Sequence, residues 1–332
     1  MIDFRYHLVS IIAVFLALAV GLVVGSTALS GKALEALQAA YGVASSRITT
    51  LDHENSSLTN QLNADNAFAQ EVSPRLLPGL MTGLKVVEVV APGADNSNVT
   101  PGVTKALQQA GATVTGQINL LPPFLATDGH DEDQLTQLAH SLAVQAGVTL
   151  PAQSSGPIAG QQDAAGVLAA SLLTAGGTGL DATNSAAILS GFSHEGYISV
   201  GNGASTVSAP ASLAILVAPG GAPPQTGSRV LVALAAALKN AGTGTVMVGG
   251  AQSVGANSVI GAEINAGQVS TVDNADTEIG QIMTVQALRL LVDGKSPGQY
   301  GIQPGAAPSP APTPSVTPTL TPSPSTSSGG HK

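Results

Sequence analysis

The densest group of possible metal ligands in the sequence lies at positions 128–133. Asp128, His130, Asp131, Glu132 and Asp133 supply carboxylate oxygens and one imidazole, a set that suits a hard cation or Cu(II). Acidic residues also stabilise the first turn of a helix, and a helix is predicted over 132–147. The helix explanation is the simpler one, so Asp128, His130, Asp131 and Asp133 are weak candidates for a metal site.

A second polar cluster stands between a predicted short strand and a predicted helix. It comprises Asp273, Asn274, Asp276 and Thr277. Open α/β sheets bind ligands at such strand-to-helix junctions. Side chains at this position can instead cap the helix that follows, and Thr271 or Asp273 could do so. The cluster therefore predicts either a partner or ligand surface or a helix cap.

Sequence motifs for catalysis and for cofactor binding are missing. The chain has no Cys, no GxSxG and no HExxH, and its four Met residues are far apart in sequence. The Gly-rich turns APGADN (91–96) and APGGAP (218–223) do not match the GxGxxG or P-loop patterns. These observations predict a protein that is not an enzyme and has no evident cofactor.

Composition excludes one class of partner. The net charge is −9, and only 11 residues are Lys or Arg. Nucleic-acid binding requires clustered Lys and Arg to neutralise phosphates. The sequence therefore predicts no nucleic-acid partner.

The longest apolar stretch of the chain runs from Leu8 to Leu29 and contains no charged residue. A helix of this length spans about 33 Å, which matches the hydrocarbon core of a bilayer. A single-pass anchor over residues 1–31 is predicted, ahead of a cleaved signal peptide or a buried core helix. Arg5 and the α-amino group favour a cytoplasmic N-terminus, with the bulk of the chain in the cell envelope outside the cytoplasm.

Residues 32–73 follow the heptad pattern of a coiled coil. Ten of the twelve a and d positions are apolar. Asn55 at an a position is typical of residues that fix register and favour a dimer. We therefore predict a homodimer, the alternative being a helix packed on the chain's own α/β domain. The a and d positions are Leu34, Leu37, Tyr41, Ala44, Ile48, Leu51, Asn55, Leu58, Leu62, Asp65, Ala69 and Val72.

Apolar strands alternate with helices over residues 80–300, which predicts a Rossmann-like, mainly parallel α/β domain. One strand, turn, helix and strand unit occurs twice. KVVEVVAPGA (85–94) resembles SLAILVAPGG (212–221), and both are followed by a helix that ends in Ala-Gly. Gene duplication or a shared helix-ending pattern would explain the likeness.

Residues 301–332 are rich in Pro, Ser and Thr and predict a disordered tail.

Two stretches resemble a known family. MIDFRYHLVSIIAVFLALAVGLVVGS at the N-terminus and STVDNADTEIGQIMTVQAL (270–288) are similar to the actinobacterial MctB family, which is named for mycobacterial copper transport and is also called SteB-like. The likeness covers roughly residues 1–300. It implies a role in copper transport or copper homeostasis, with copper as a possible ligand, but it carries over no copper-binding residue.

The resemblance also implies an alternative function. In this alternative, a member of the family is a single-pass membrane protein with a coiled coil and an α/β domain outside the cytoplasm. It pairs with a protein partner to control cell-wall hydrolysis or septation. The resemblance thus leaves a copper transporter and a dimeric scaffold to be distinguished.

Overall fold

A computed structural model of the chain describes residues 4–94, 98–150, 156–177, 179–201, 210–221, 223, 225–255, 257–307 and 309–310. The chain divides into two compact units, Met1–Asp65 and Asn66–Lys332. The first is helical, and the second is an α/β unit.

Helix α1 spans Phe4–Leu76 and forms the described part of the first unit. Its Tyr6–Gly25 window has a mean hydropathy of 2.9 and none of it is buried. The window is long and apolar enough to cross a membrane. It begins two residues before Leu8 and ends before Leu29, so an N-terminal apolar helix is present where the sequence predicts one.

The a and d side chains of the predicted coiled coil are exposed within the first unit. Asn55 is exposed as well. A single chain leaves this stripe uncovered, and the coiled coil stays a prediction. The exposed large apolar members are Leu34, Leu37, Tyr41, Ile48, Leu51, Leu58 and Leu62.

Helix α1 ends three residues after the predicted coiled coil, which ends at residue 73. Pro74 lies inside its last turn, and the helix ends at Leu76. Proline removes one helical N–H, but in the final turn few further bonds depend on it. Leu77 still donates its N–H to the Ser73 carbonyl at 3.0 Å.

The α/β unit contains one seven-stranded sheet. All neighbouring strands are parallel except β2 and β3, and the order is β3-β2-β1-β4-β5-β6-β7. The strands are β1 Lys85–Val90, β2 Thr113–Leu120, β3 Ile198–Gly201, β4 Leu213–Val217, β5 Gly244–Val248, β6 Ser270–Val272 and β7 Gln299–Tyr300.

Helices cover both faces of this sheet. Apolar residues of α3 to α7 form a core on one face. Residues of α2, α8 and the end of α1 form a second core on the other face. The helices are α2 Val99–Gln109, α3 Gly129–Ala146, α4 Ala159–Leu172, α5 Ala182–His194, α6 Gln225–Ala241, α7 Val259–Ala266 and α8 Glu278–Val292, with short 3₁₀ helices at Pro122–Leu125 and Ala251–Ser253.

The two repeated units meet in the middle of the sheet. Strands β1 and β4 are direct neighbours, with Val86 opposite Leu213 and Glu88 opposite Ile215. This pairing matches the sequence alignment of the repeat position by position. Helices α2 and α6 then lie on opposite faces. The repeat therefore builds a sheet covered on both sides.

Residues just beyond 300 take part in the α/β unit. Gly301 donates its N–H to the Ala307 carbonyl at 3.3 Å, and Ala307 donates to the Gln299 carbonyl at 2.8 Å. The remainder of the predicted disordered tail, residues 311–332 together with 308, lies outside the described residues.

Candidate functional site

The two APG turns lie side by side at the carboxyl edge of the sheet. They follow β1 and β4, the neighbouring strands at which the strand order reverses, and such a point is where ligands enter open α/β sheets. Gly93 has φ +75, and a Cβ added to it would lie 3.8 Å from the Pro219 Cβ. Residues 95–97, 222 and 224 of these turns lie outside the described residues.

Asp273, predicted as a surface or capping residue, is 1% exposed. Its carboxylate accepts hydrogen bonds from the backbone N–H groups of Ile302 at 2.7 Å and Gln303 at 3.0 Å. Gly301 has φ +130, and a side chain there would overlap this carboxylate. Asp273 therefore holds the segment after β7 against the end of β6.

Thr277 caps helix α8, whereas the sequence pointed to Thr271 or Asp273. Its hydroxyl accepts from the Gly280 N–H at 3.1 Å and donates to the Asn274 carbonyl at 2.8 Å. Thr271 lies within β6, and the Asp273 carboxylate accepts hydrogen bonds from Ile302 and Gln303. Neither residue is therefore the N-cap of α8.

Asn274 and Asp276 complete this junction. Asn274 is 7% exposed, and Asp276 accepts from the Ala251 N–H at 3.3 Å. The four cluster residues thus line a tightly packed turn, and a ligand or partner role for them stays a prediction.

The residues of the first acidic cluster lie at the start of α3. Asp128 is the N-cap residue, and Asp131 and Glu132 belong to the first turn. The ring Nε2 of His130 lies 3.2 Å from Nε2 of Gln134. Among the residues that the structure describes, no three His, Asp or Glu side chains are grouped to hold a metal ion. The metal site at Asp128, His130, Asp131 and Asp133 stays a prediction.

A cleft that the sequence did not indicate opens between α2 and strands β1 and β2. Its volume is about 780 Å³. The polar side chains on its wall include Glu88, Thr100, Thr104, Lys105, Gln117 and Asn119. Such a concave polar site within one unit is a candidate for ligand binding.

Glu88 lies at the base of this cleft and is 2% exposed. The Thr104 hydroxyl donates to its Oε1 at 2.7 Å. Burial raises the pKa of the Glu88 carboxyl to about 7, and the Thr104 hydrogen bond opposes that rise. The group is therefore close to half ionised at neutral pH. Its only sequence signal is one carboxylate in the valine run KVVEVV, which pattern analysis treats as an ordinary strand.

Three further polar residues line the same cleft. The Thr100 hydroxyl is buried and has no hydrogen-bond partner among the described residues. Gln117 donates to the Asn119 Oδ1 at 2.7 Å. Lys105 Nζ lies 3.8 Å from Glu278 Oε2, which places the basic side chain of this wall beside another acid.

Comparison with known proteins gives a consistent result over nearly the whole chain. The model of the family described as "Copper transport outer membrane protein, MctB" matches residues 1–310. A protein of Mycobacterium leprae (strain TN) named "Copper transporter MctB" is 32% identical over 314 residues, which cover 91% of this chain and 96% of that protein. Proteins of the same name from Mycobacterium bovis and from Mycobacterium tuberculosis H37Rv are each 30% identical over 315 residues, with the same coverage.

Proposed function

Because this chain belongs to the MctB family, we propose that it acts in copper transport or copper homeostasis at the cell envelope. The observation that carries the proposal is the family match over residues 1–310. Relatives that carry the name of a copper transporter cover 91% of the chain. Their likeness therefore includes both the apolar helix and the α/β unit.

In this proposal the chain is a non-enzymatic protein with a single membrane-spanning helix. The Tyr6–Gly25 window, none of which is buried, supports the anchor, since an apolar helix surface of that kind is stable in lipid. A cytoplasmic N-terminus follows from the positive-inside tendency. The Rossmann-like α/β unit then lies outside the cytoplasm, and the strand-order reversal between β1 and β4 favours that fold assignment.

Copper content of cells tests the proposal. Cells without the gene should differ from the parent in copper content when grown with added copper salt, as measured by elemental mass spectrometry. The full chain should restore the parental level, whereas a chain without residues 2–30 should not. Equal copper content in parent and deletion cells, at equal growth, would rule out the copper function.

The second candidate function is that of a dimeric scaffold, and the exposed heptad stripe favours it. Side chains such as Leu37, Tyr41 and Leu58 are 67%, 77% and 63% exposed in the single chain. Burying them against a second copy would remove a large apolar area from water. The dimer would then present two α/β units to a membrane or cell-wall-regulating protein.

Two measurements separate these functions. Titration of the full chain with Cu(II) and Cu(I) by calorimetry tests direct copper binding. Cross-linking in intact cells, followed by mass spectrometry, tests for a dimer and a protein partner. Stoichiometric copper binding without a partner supports transport. A reproducible partner, with a cell-separation defect and unchanged copper content in deletion cells, supports the scaffold.

A further inference from the structure

The cleft beside α2 contains a buried carboxylate without a protein counter-charge. The ion pairs of the described residues do not include Glu88. Its hydrogen bond comes from a neutral hydroxyl, that of Thr104. A carboxylate removed from water is costly unless a cation or several donors compensate it. Among the described residues Glu88 therefore has no cationic partner, and a ligand could supply one.

The second copy of the repeat indicates that the fold does not require these polar residues. Glu88 corresponds to Ile215, its register partner in β4. When α2 and α6 are aligned on the Ala-Gly pair at the end of each helix, Thr104 corresponds to Ala235 and Thr100 corresponds to Leu231. Ile215, Leu231 and Ala235 are all 0% exposed, and the last two are core residues of the opposite face.

The corresponding sequence positions of the second unit are therefore apolar and buried, with Ile215 in one core and Leu231 and Ala235 in the other. In the first unit the corresponding positions hold a carboxyl and two hydroxyls, all on residues that line an open cleft. A packing role alone does not explain three polar residues on the lining of one cleft, two of which are joined by a hydrogen bond. Their shared position points to recognition of a ligand.

The chemistry of the cleft selects the ligand class. The Glu88 carboxylate of β1, the unpartnered Thr100 hydroxyl of α2 and the Gln117 carboxamide of β2 are oxygen acceptors of residues that line the cleft. Three acceptors of this kind match the three N–H donors of a primary ammonium group. We propose that this cleft binds a small organic molecule through a primary ammonium group, with the Glu88 carboxylate as its counter-charge.

The ionisation of Glu88 determines how the affinity for an ammonium ligand changes with pH. Among the described residues that line the cleft, Lys105 of α2 is the ionisable one besides Glu88, and it lies near Glu278 of α8. Ammonium binding requires the ionised carboxylate, and the pKa of Glu88 is about 7. The affinity for an amine that stays protonated should therefore be about tenfold higher at about pH 8 than at about pH 6.

A matched pair of probes tests the proposal. The full chain in detergent and an amine-free buffer is titrated with 2-aminoethanol and, separately, with ethylene glycol, using ligand-observed NMR. The two probes have the same size and share a hydroxyl, but only the first has an ammonium group. Aminoethanol should bind about tenfold more tightly than the glycol.

Variants locate the binding. Glu88→Gln keeps the shape of the side chain and should weaken aminoethanol binding about tenfold, without changing the weak response to the glycol. Asp133→Asn, at an exposed position outside the cleft, should bind like the parent. Thr100→Val breaks no hydrogen bond of the Thr100 side chain in the free protein and should weaken binding about threefold. It provides a second test if the first variant does not fold, as judged by circular dichroism.

Three results would each overturn the proposal. One is the absence of saturable aminoethanol binding to the folded parent chain. Another is equal affinity for the two probes. The last is parental affinity in a folded Glu88→Gln chain or, where that variant is unfolded, in Thr100→Val. None of these outcomes bears on copper content in cells, so the copper proposal is judged separately.

Discussion

The Thr104 hydroxyl and the Glu88 carboxylate form a hydrogen bond of 2.7 Å between helix α2 and strand β1. Apart from Glu88, all residues of β1 after Lys85 are buried valines. One polar contact therefore stands in the centre of an apolar strand. The ionisation of this carboxyl leads to the first prediction.

Glu88→Gln should stabilise the chain at alkaline pH. Burial raises the pKa of Glu88 from 4.5 to about 7. The folded state therefore keeps a proton that the unfolded state releases between these values, and the stability linked to that proton is lost as the pH rises through 7. Relative to the parent, the variant should gain up to about 3 kcal/mol between about pH 4 and about pH 8.

Thermal unfolding of the full chain in detergent at several pH values measures this gain. Glu71→Gln serves as the control, because Glu71 is exposed, and should give a flat difference from the parent. A pH-independent difference for Glu88→Gln would contradict the assignment of a protonated, buried carboxyl.

Asp273→Ala should release the segment after β7. The variant loses hydrogen bonds of 2.7 Å and 3.0 Å from the N–H groups of Ile302 and Gln303. Because the acceptor is a buried carboxylate, the loss should destabilise the α/β unit by about 2–4 kcal/mol. Hydrogen exchange should accelerate at residues 302 and 303, whereas exposed Asp133→Ala should leave it unchanged. Parental protection at both amides would exclude the holding role of Asp273.

Gly280→Ala should be strongly destabilising, although Gly280 has an ordinary helical position in α8. A Cβ there would overlap the carbonyl of Asn274. Relief of that clash requires movement of the backbone of the junction, at a cost of about 2–4 kcal/mol. Gly129→Ala at the start of α3 meets open space and should be neutral or slightly stabilising. Similar unfolding temperatures for the two variants would refute this steric argument.

Deletion of residues 2–30 should move the protein from the membrane to the soluble fraction. The deletion removes the Tyr6–Gly25 window, whose mean hydropathy is 2.9. Deletion of residues 311–332 is the matched control and should leave the protein in the membrane fraction. Cell fractionation with immunoblotting distinguishes the two, and membrane retention of the N-terminal deletion would disprove a sole anchor at this window.

Leu51→Asp combined with Leu58→Asp should convert the proposed dimer into a monomer. Both positions belong to the exposed apolar stripe, and a charge at a d position opposes burial against a second helix. Ser57→Asp, next to Leu58 but off the stripe, should keep the parental mass in detergent-corrected light scattering. A monomeric parent chain would end the coiled-coil proposal.

Strands and helices with simple patterns could be predicted from the sequence. The valine run of β1 and the LAILV run of β4 form neighbouring buried strands. Helix α8 follows the polar cluster as predicted, buries Ile282, Val285 and Leu288, and ends at Val292, just before Gly294. In each case the hydrophobic pattern of the segment agrees with its burial in the folded chain, so the sequence alone predicts the element.

Elements that depend on distant contacts could not be predicted. Helix α4 begins at Ala159, and its polar Asp163 is buried beside His140, which lies 23 residues earlier in the chain. Strand β7 is two residues long and exists through its pairing with β6. The role of Asp273 depends on partners 29 and 30 residues later. The cleft around Glu88 likewise requires knowledge of which side chains α2 brings to β1.

The attachment of residues 299–307 has a mechanical consequence. A load applied to the chain after residue 310 reaches the sheet through the short β6–β7 pairing and the two bonds to Asp273. Parallel strands β1, β4 and β5 share longer ladders in the interior of the sheet. Under tension from the C-terminal side, β7 should detach from β6 first. The central strands and the cleft beside α2 should then keep their arrangement.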